Sequence, residues 1–441
     1  MPEILHDLTA GHDLHSMTNL AANSGLCHAG VKPYSLGLLI DRKARDFLFE
    51  DSQEADIFAP PIFNGHDVGQ RWRGLFVLDL NTLSESELRE DFPRAYQHVL
   101  EHVKPARVRE RNPRLAKEYW KFEANRSELR AGLVDLDQYI CTLENSPQRV
   151  FVKLRSDILP DQKLRVIICE ESFLFGVLMS RFHEMFSIRT GGRAGAANTP
   201  VYNTQCFTKF PFPVLSKNDE GDAQKAAIGA IAEELDAHRK RVLAEHPHLT
   251  LTGLYNVLER LKAGTNPDDL DARERRIFDD GLVLILKELH ERLDAAVADA
   301  YGWPVDLAEE EILSRLVALN KERAKEERRG LVRWLRPDYQ IPRFGSAREK
   351  EEQLEADLGE AILAAVAGPK PSFPSDERDQ TPAVLHQLME AEGAVDALAI
   401  ASSFKQGRKC LPAVNAVLAS LFRMGLVSTT DGKRFAFRRA A

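Results

Sequence analysis

The chain has 441 residues, 44% of them hydrophobic and 29% charged, with a formal net charge of -8 at pH 7. This length and balance belong to a soluble globular protein of two to four domains rather than to a fibrous or disordered chain. No run approaches about 18 consecutive apolar residues, and the N-terminal MPEILHDLTAGHDLHS has neither the basic flank nor the apolar core of a signal peptide, so a cytoplasmic protein with no membrane partner is expected. The five cysteines, Cys27, Cys141, Cys169, Cys206 and Cys410, are odd in number and show no CxxC spacing. That pattern argues against a disulfide framework and a zinc knuckle, and for reduced thiols.

In chain order, residues 1–59 read as short strands and turns, with an apolar patch around 35–40 and a helical stretch at 42–49. Residues 60–215 alternate strands (74–80, 149–154) with helices (84–103, 172–187), a mixed α/β pattern. Ser84, with Glu87 three positions on, forms a capping box that opens the first of these helices. This segment carries 22 Lys/Arg against 19 Asp/Glu, whereas the segments on either side are acidic. The positive charge is therefore concentrated in one part of an acidic chain. Its densest run, 104–130, interleaves Lys and Arg with Tyr119, Trp120 and Phe122; phosphate contact and a solvated helix face are the two readings.

From Asp219 to about 320 the apolar spacing is helical, at 226–242, 251–261 and 278–300, and the stripe Leu282, Ile285, Leu286, Leu289 and Leu293 reads as core. Gly302-Trp303-Pro304 ends that run, and a helix over 307–330 finishes in alternating Lys/Arg and Glu, the pattern of a solvated face. A Pro-rich polar stretch at 345–380, with one helical segment at 349–366, reads as a linker. Beyond it, helices at 382–391, 394–402 and 411–424 precede two short strands joined by Asp431-Gly432, which spells a winged helix. Lys405, Arg408, Lys409, Lys433, Arg434, Arg438 and Arg439 make this end basic, a pattern suited to DNA, although the same fold also serves protein packing. The fold class expected is α+β.

The stretch 191–213, GGRAGAANTPVYNTQCFTKFPFP, places glycines, an arginine, amides and hydroxyls before a rigid Phe-Pro-Phe-Pro stop. Base readout needs bidentate groups such as Arg against guanine and Asn or Gln against adenine, and glycines permit close backbone approach. Arg189, Arg193, Asn198, Tyr202, Asn203, Thr204, Gln205 and Lys209 are the candidates here, with Arg193, Asn198 and Asn203 the strongest. Taken singly, Asn and Gly are also ordinary loop formers. Phe207, Phe210 and Phe212 are expected to pin the loop to the core, and His183 to be a core residue or a polar contact. Gly191, Gly192 and Gly195 lack the Lys-Ser/Thr of a phosphate loop. A hydrolase using His12, Asp13 and His66 finds no support in their spacing.

The same stretch closely resembles the end of the target-recognition domain in MmeI-like DNA adenine methyltransferases, class I S-adenosylmethionine-dependent enzymes of type II restriction-modification systems. In that family a glycine-rich loop precedes a Tyr, a Cys-Phe pair and FPFP, matched here by Tyr202, Cys206-Phe207 and Phe210 to Pro213. FGVLMSRFHEMFS at 175–187, with its Ser180-Arg181 pair, resembles the helix before that loop, and LNKERAKEERRGLVRWLRPDYQ at 319–340 the helical tail after it. Asn64-Gly65-His66-Asp67 is similar to the turn that opens the recognition region; read alone, it is a hairpin turn.

The resemblance implies a connector at 1–59 that follows a catalytic domain, a target-recognition domain at 60–215, a helical subdomain at 216–344, the linker at 345–380 and the winged helix at 381–441. It implies double-stranded DNA as partner, Arg181 among the DNA contacts, and a methyltransferase catalytic domain, upstream in the same gene or in a separate subunit. The family's Asn/Asp/Ser-Pro-Pro-aromatic tetrapeptide, which holds the flipped adenine, is absent. The Pro-Pro pair stands in Ala59-Pro60-Pro61-Ile62, where Ala cannot bond the amine and Ile cannot stack, so it reads as a turn entering a strand. No catalytic residue, no metal and no cofactor is thus expected on this chain, and S-adenosylmethionine belongs to the complete enzyme. The alternative is a transcriptional regulator whose winged helix binds DNA while the N-terminal part senses a ligand or partner.

Overall fold

The computed structural model describes residues 3–4, 10–11, 14–50, 52–216, 218–354, 371–374, 376–390, 394–423, 426–429 and 434–437. The chain forms two compact units, Met1–Gly345 and Ser346–Ala441. The fold is α+β: its sheets are small and almost wholly antiparallel, and long helices follow them in the sequence.

In the first unit the central sheet has four strands in the order Cys27–Ala29, Leu164–Ile167, Gln138–Leu143, Phe151–Arg155, all antiparallel. Gln138–Leu143 is buried over its four central residues, as an interior strand covered on both faces must be. The helix Ser172–Met179 packs on this sheet, and the 27-residue helix Asp219–Glu245 packs on that helix in turn. Gly176 permits the approach: a Cβ there would lie 2.7 Å from Ile228 Cγ2 and 3.2 Å from Ala232 Cβ. Leu251–Lys262, Val283–Tyr301 and Glu309–Arg328 complete a helical layer that shares one core with the sheet, from Met17 to Tyr339. Within it the buried Arg239 bonds Asp236 (2.8 Å), the Phe151 carbonyl (3.0 Å) and Tyr255 Oη (3.2 Å). A second core gathers Val31, Phe76, Leu88, Val99, Tyr119, Trp120 and Phe122 around the helices of residues 42–117.

Several elements differ from the sequence expectation, each for a local reason. The 84–103 helix is two, Glu85–Asp91 and Pro93–His102, because Phe92 leaves helical geometry before a proline that has no N–H to give. The 172–187 helix breaks at Ser180, which is extended and whose hydroxyl donates to the Val177 carbonyl (2.7 Å). The 278–300 run divides into Ala272–Asp280 and Val283–Tyr301, because Leu282 takes a left-handed conformation. That turn exposes Leu282 and Ile285, while Leu286, Leu289 and Leu293 are buried. Asn64 to Asp67 is a helix start rather than a hairpin: the Asn64 side chain accepts from the His66 and Asp67 amides, and Asp67 bonds the Asn64 amide in return. Ile62–Phe63 is the strand expected after the Pro-Pro turn, here paired in parallel with Leu159–Pro160.

The second unit packs Glu377–Glu390, Ala397–Ser402 and Leu411–Arg423 around Val384, Ile400, Phe404, Val414 and Leu418. Its sheet has three antiparallel strands, with Arg434–Phe437 between Val395–Asp396 and Val427–Ser428. The Asp431-Gly432 turn, Lys433, Arg438, Arg439, His12, Asp13 and much of the 349–366 segment lie outside the described residues. All five cysteines are free and buried; burial pushes the Cys27 thiol up to about 12 and that of Cys206 to about 11. Among the described residues no helix is long and apolar enough to cross a membrane.

Non-regular backbone at the heart of the first unit is tied by buried amide side chains. Asn320 accepts from the Thr18 amide (3.0 Å) and donates to the carbonyls of Thr18 (2.9 Å) and Lys209 (2.8 Å). Asn320→Ala should strand these groups and lower stability by about 3 kcal/mol, read as a lower urea midpoint of the full chain.

Candidate nucleic-acid interface

The glycine-rich stretch folds as a small hairpin. Arg193–Ala194 pairs with Thr199–Pro200, and residues 192–198 between and around these strands are exposed. Gly192 and Gly195 both have positive φ (78° and 71°), as does Asn198 (51°), a residue type that tolerates this region. The base of the hairpin is tightly held. Gly191 is obligatory, since a Cβ there would sit 1.7 Å from the Val201 carbonyl oxygen. On the return side the Tyr202 amide donates to the Glu144 carbonyl (2.7 Å) and the Ser146 amide to the Pro200 carbonyl (3.3 Å). A mobile-looking composition is thus mounted on a rigid stem.

The structure sorts the nine candidates by what their polar atoms already do. Arg181 is a clamp: its guanidinium donates to the carbonyls of Val305 (3.3 Å) and Leu307, and its amide to Asp294 (2.8 Å). Tyr202 is fully buried and shares a 3.0 Å hydrogen bond with His183. Asn203 closes the stem, donating to the Gly191 carbonyl (3.1 Å) and accepting from the Gln205 amide (2.9 Å). Arg189 is exposed but paired with Glu309 at 2.9 Å. Arg193 donates to the Asn198 carbonyl within its own hairpin (3.0 Å) and makes no ion pair among the described residues. Arg193, Asn198, Thr204 and Gln205 are exposed and Lys209 is half-buried, so the structure leaves five candidates with side chains facing solvent near one stem.

The aromatic run below the hairpin acts as expected of an anchor. Phe207, Phe210 and Phe212 are buried, with ring centroids 5.4 Å (Phe207–Phe212) and 5.0 Å (Phe210–Phe212) apart. The basic run 104–130 is less available than its composition implies. Arg107 is buried and donates to the Pro33 carbonyl (2.5 Å), Arg130 pairs with Asp79 (2.6 Å), Lys121 pairs with Glu118 (3.0 Å), and Tyr119, Trp120 and Phe122 are core. Arg109, Arg111 and Lys117 remain exposed.

Two residues at the stem were not singled out from the sequence. Arg149 is buried beneath the hairpin, its guanidinium 5.0 Å from the Tyr202 ring and donating to the Leu143 carbonyl (2.9 Å). Lys163 reaches Glu144 (3.1 Å), beside the point where Tyr202 joins. The available signal was an arginine directly before the apolar run Val150, Phe151 and Val152.

No protein-family model matches the chain, and no curated protein does. Among solved structures, the fold is similar to that of a restriction-modification enzyme. That enzyme is the type IIL protein MmeI, solved in complex with DNA; the superposition has a TM-score of 0.53 at 17% identity and covers 72% of this chain. It covers 38% of the MmeI chain, so this protein spans well under half of that enzyme's length.

Burial pushes the His183 imidazole down to about 3, with the Arg149 charge adding to the effect. Below its ordinary value of 6.5 the unfolded chain therefore takes up a proton that the folded chain refuses. The contribution is complete above that pH and is lost as pH falls towards 3. Urea midpoints at pH 6.5 and 5.5 should show the wild type losing about 1 kcal/mol more over this interval than His183→Gln, which has no proton to bind.

Proposed function

We propose that this chain is the DNA sequence-recognition portion of a site-specific, S-adenosylmethionine-dependent DNA adenine methyltransferase of a restriction-modification or phage-defence system. The observation that carries the proposal is the solvent-facing hairpin on its rigid stem, set in a fold similar to that of an enzyme solved with DNA. Arg193 and Asn198 are base-reading candidates, since guanidinium and amide groups make bidentate contacts with guanine and adenine. Lys209, Thr204 and Lys163 position the backbone, where contacts carry register rather than sequence.

In this reading residues 60–215 recognise the target, residues 216–344 buttress them, and residues 381–441 form a winged helix. The order of helices and the three-stranded sheet of the second unit support that last assignment, and exposed Lys405, Arg408 and Lys409 suit it to phosphate contact. The chemistry belongs to a catalytic domain that carries the cofactor site and the tetrapeptide missing here. The chain by itself binds DNA without methylating it.

Selection from a random duplex pool with the full-length chain should enrich one sequence, with affinity that falls steeply with salt. Arg193→Ala should weaken that sequence about tenfold while leaving binding to unselected DNA nearly intact. Methyl transfer from labelled S-adenosylmethionine by the chain alone would overturn the proposal. So would enrichment that survives loss of Arg193 and Asn198 but vanishes without residues 381–441, the outcome a winged-helix regulator would give.

A further inference from the structure

Away from the hairpin, the connection between the helices Asp219–Glu245 and Leu251–Lys262 carries a His-x-His pair, His246 and His248. Asp280, the last residue of the helix Ala272–Asp280, faces both. His248 Nε2 lies 3.0 Å from Asp280 Oδ2 and His246 Nδ1 3.9 Å from the same oxygen; one donor atom from each of the three residues falls within 4.8 Å of the others. His246 and Asp280 are half-buried and His248 is exposed, with about a third of each side chain open to solvent.

We infer that His246, His248 and Asp280 form a binding site for a divalent transition ion of the zinc class. Two imidazoles and one carboxylate are a donor set that suits zinc, which takes four ligands at about 2.0–2.1 Å and hence holds donor atoms about 3.3 Å apart. The observed separations bracket that value, so side-chain rotation within the turn suffices to close the site. The fourth position faces solvent and takes water.

The backbone that presents the donors is already fixed. The His246 amide donates to the Val242 carbonyl and the Leu249 amide to the His246 carbonyl (both 3.0 Å), and Leu249 is buried. Arg71 adds two bonds from outside, to the carbonyls of Leu243 and His246 (both 2.9 Å). Arg276, 3.5 Å from Asp280 Oδ2, is the one cation that pairs with the carboxylate among the described residues, and it is largely exposed, so it is free to swing away. An ion here would staple the 246–250 turn to the end of the Ala272–Asp280 helix, just before the left-handed Leu282. The site is structural, and it stands independently of DNA recognition.

The test is calorimetric titration of the full-length chain with zinc chloride, with cobalt(II) as a spectroscopic substitute. One ion should bind per chain and raise Tm, and His246→Ala, His248→Ala and Asp280→Asn should each weaken binding at least tenfold. His102→Ala, which removes half of the separate His98–His102 pair, should leave binding unchanged. Cobalt should show the visible bands of tetrahedral nitrogen and oxygen ligation without a thiolate charge-transfer band. No saturable binding by the wild type, binding that survives His248→Ala and Asp280→Asn, or a thiolate band from the cysteines would each overturn the inference.

Discussion

The first unit depends on three buried amides. Asn23 donates to the carbonyls of Phe207 and Phe210 (2.8 Å each), Asn320 joins Thr18 to Lys209, and Gln340 donates to Ala22 (2.9 Å) and Ser24 (2.8 Å). The Phe-Pro-Phe-Pro segment is not regular structure and residues 18–24 hold only the single 3-10 turn Ala21–Asn23, so most of their carbonyls have no ladder to satisfy them. Burying such groups unpaired costs about 1–3 kcal/mol each. An amide side chain offers two donors and an acceptor in one rigid plane, enough to tie segments some 200 to 300 residues apart in the chain. The recognition-like stretch, the N-terminal connection and the helical tail are consequently one body.

This dependence explains which parts of the fold were legible in the sequence. The long helices were readable because their apolar spacing is local information. The amide ties were not, since Asn23 and Gln340 look like any polar residue until their distant partners are in place. The interruptions at Phe92, Ser180 and Leu282 were likewise hidden. Periodicity continues across each of them, while a proline, a serine hydroxyl and a left-handed leucine redirect the backbone. Asn64 shows the converse error: Asn-Gly is a hairpin signal only between strands that pair, and here a capping box used it.

For the candidate site, composition was a guide to location rather than to role. The 191–213 stretch was legible as glycines, polar groups and a rigid aromatic end, and the structure turns that order into a hairpin, a stem and an anchor. Around it, Arg181, Tyr202 and Asn203 hold the platform, while Arg193 and Asn198 stand on it. Residue type alone cannot make that division, because arginine and asparagine bond protein carbonyls as readily as they bond a ligand. Arg149 escaped notice for the same reason: its charge lies inside, where a sequence offers no view of burial.

The buried thiols have a consequence of a different kind. A folded chain that holds its cysteines out of water and protonated is inert to alkylating reagents, so each thiol reacts only when the structure around it opens. Cys410 belongs to the second unit and the other four to the first. The rate at which each cysteine is labelled is therefore a native chronometer of local opening, able to time the two units separately within one intact molecule and without any introduced probe.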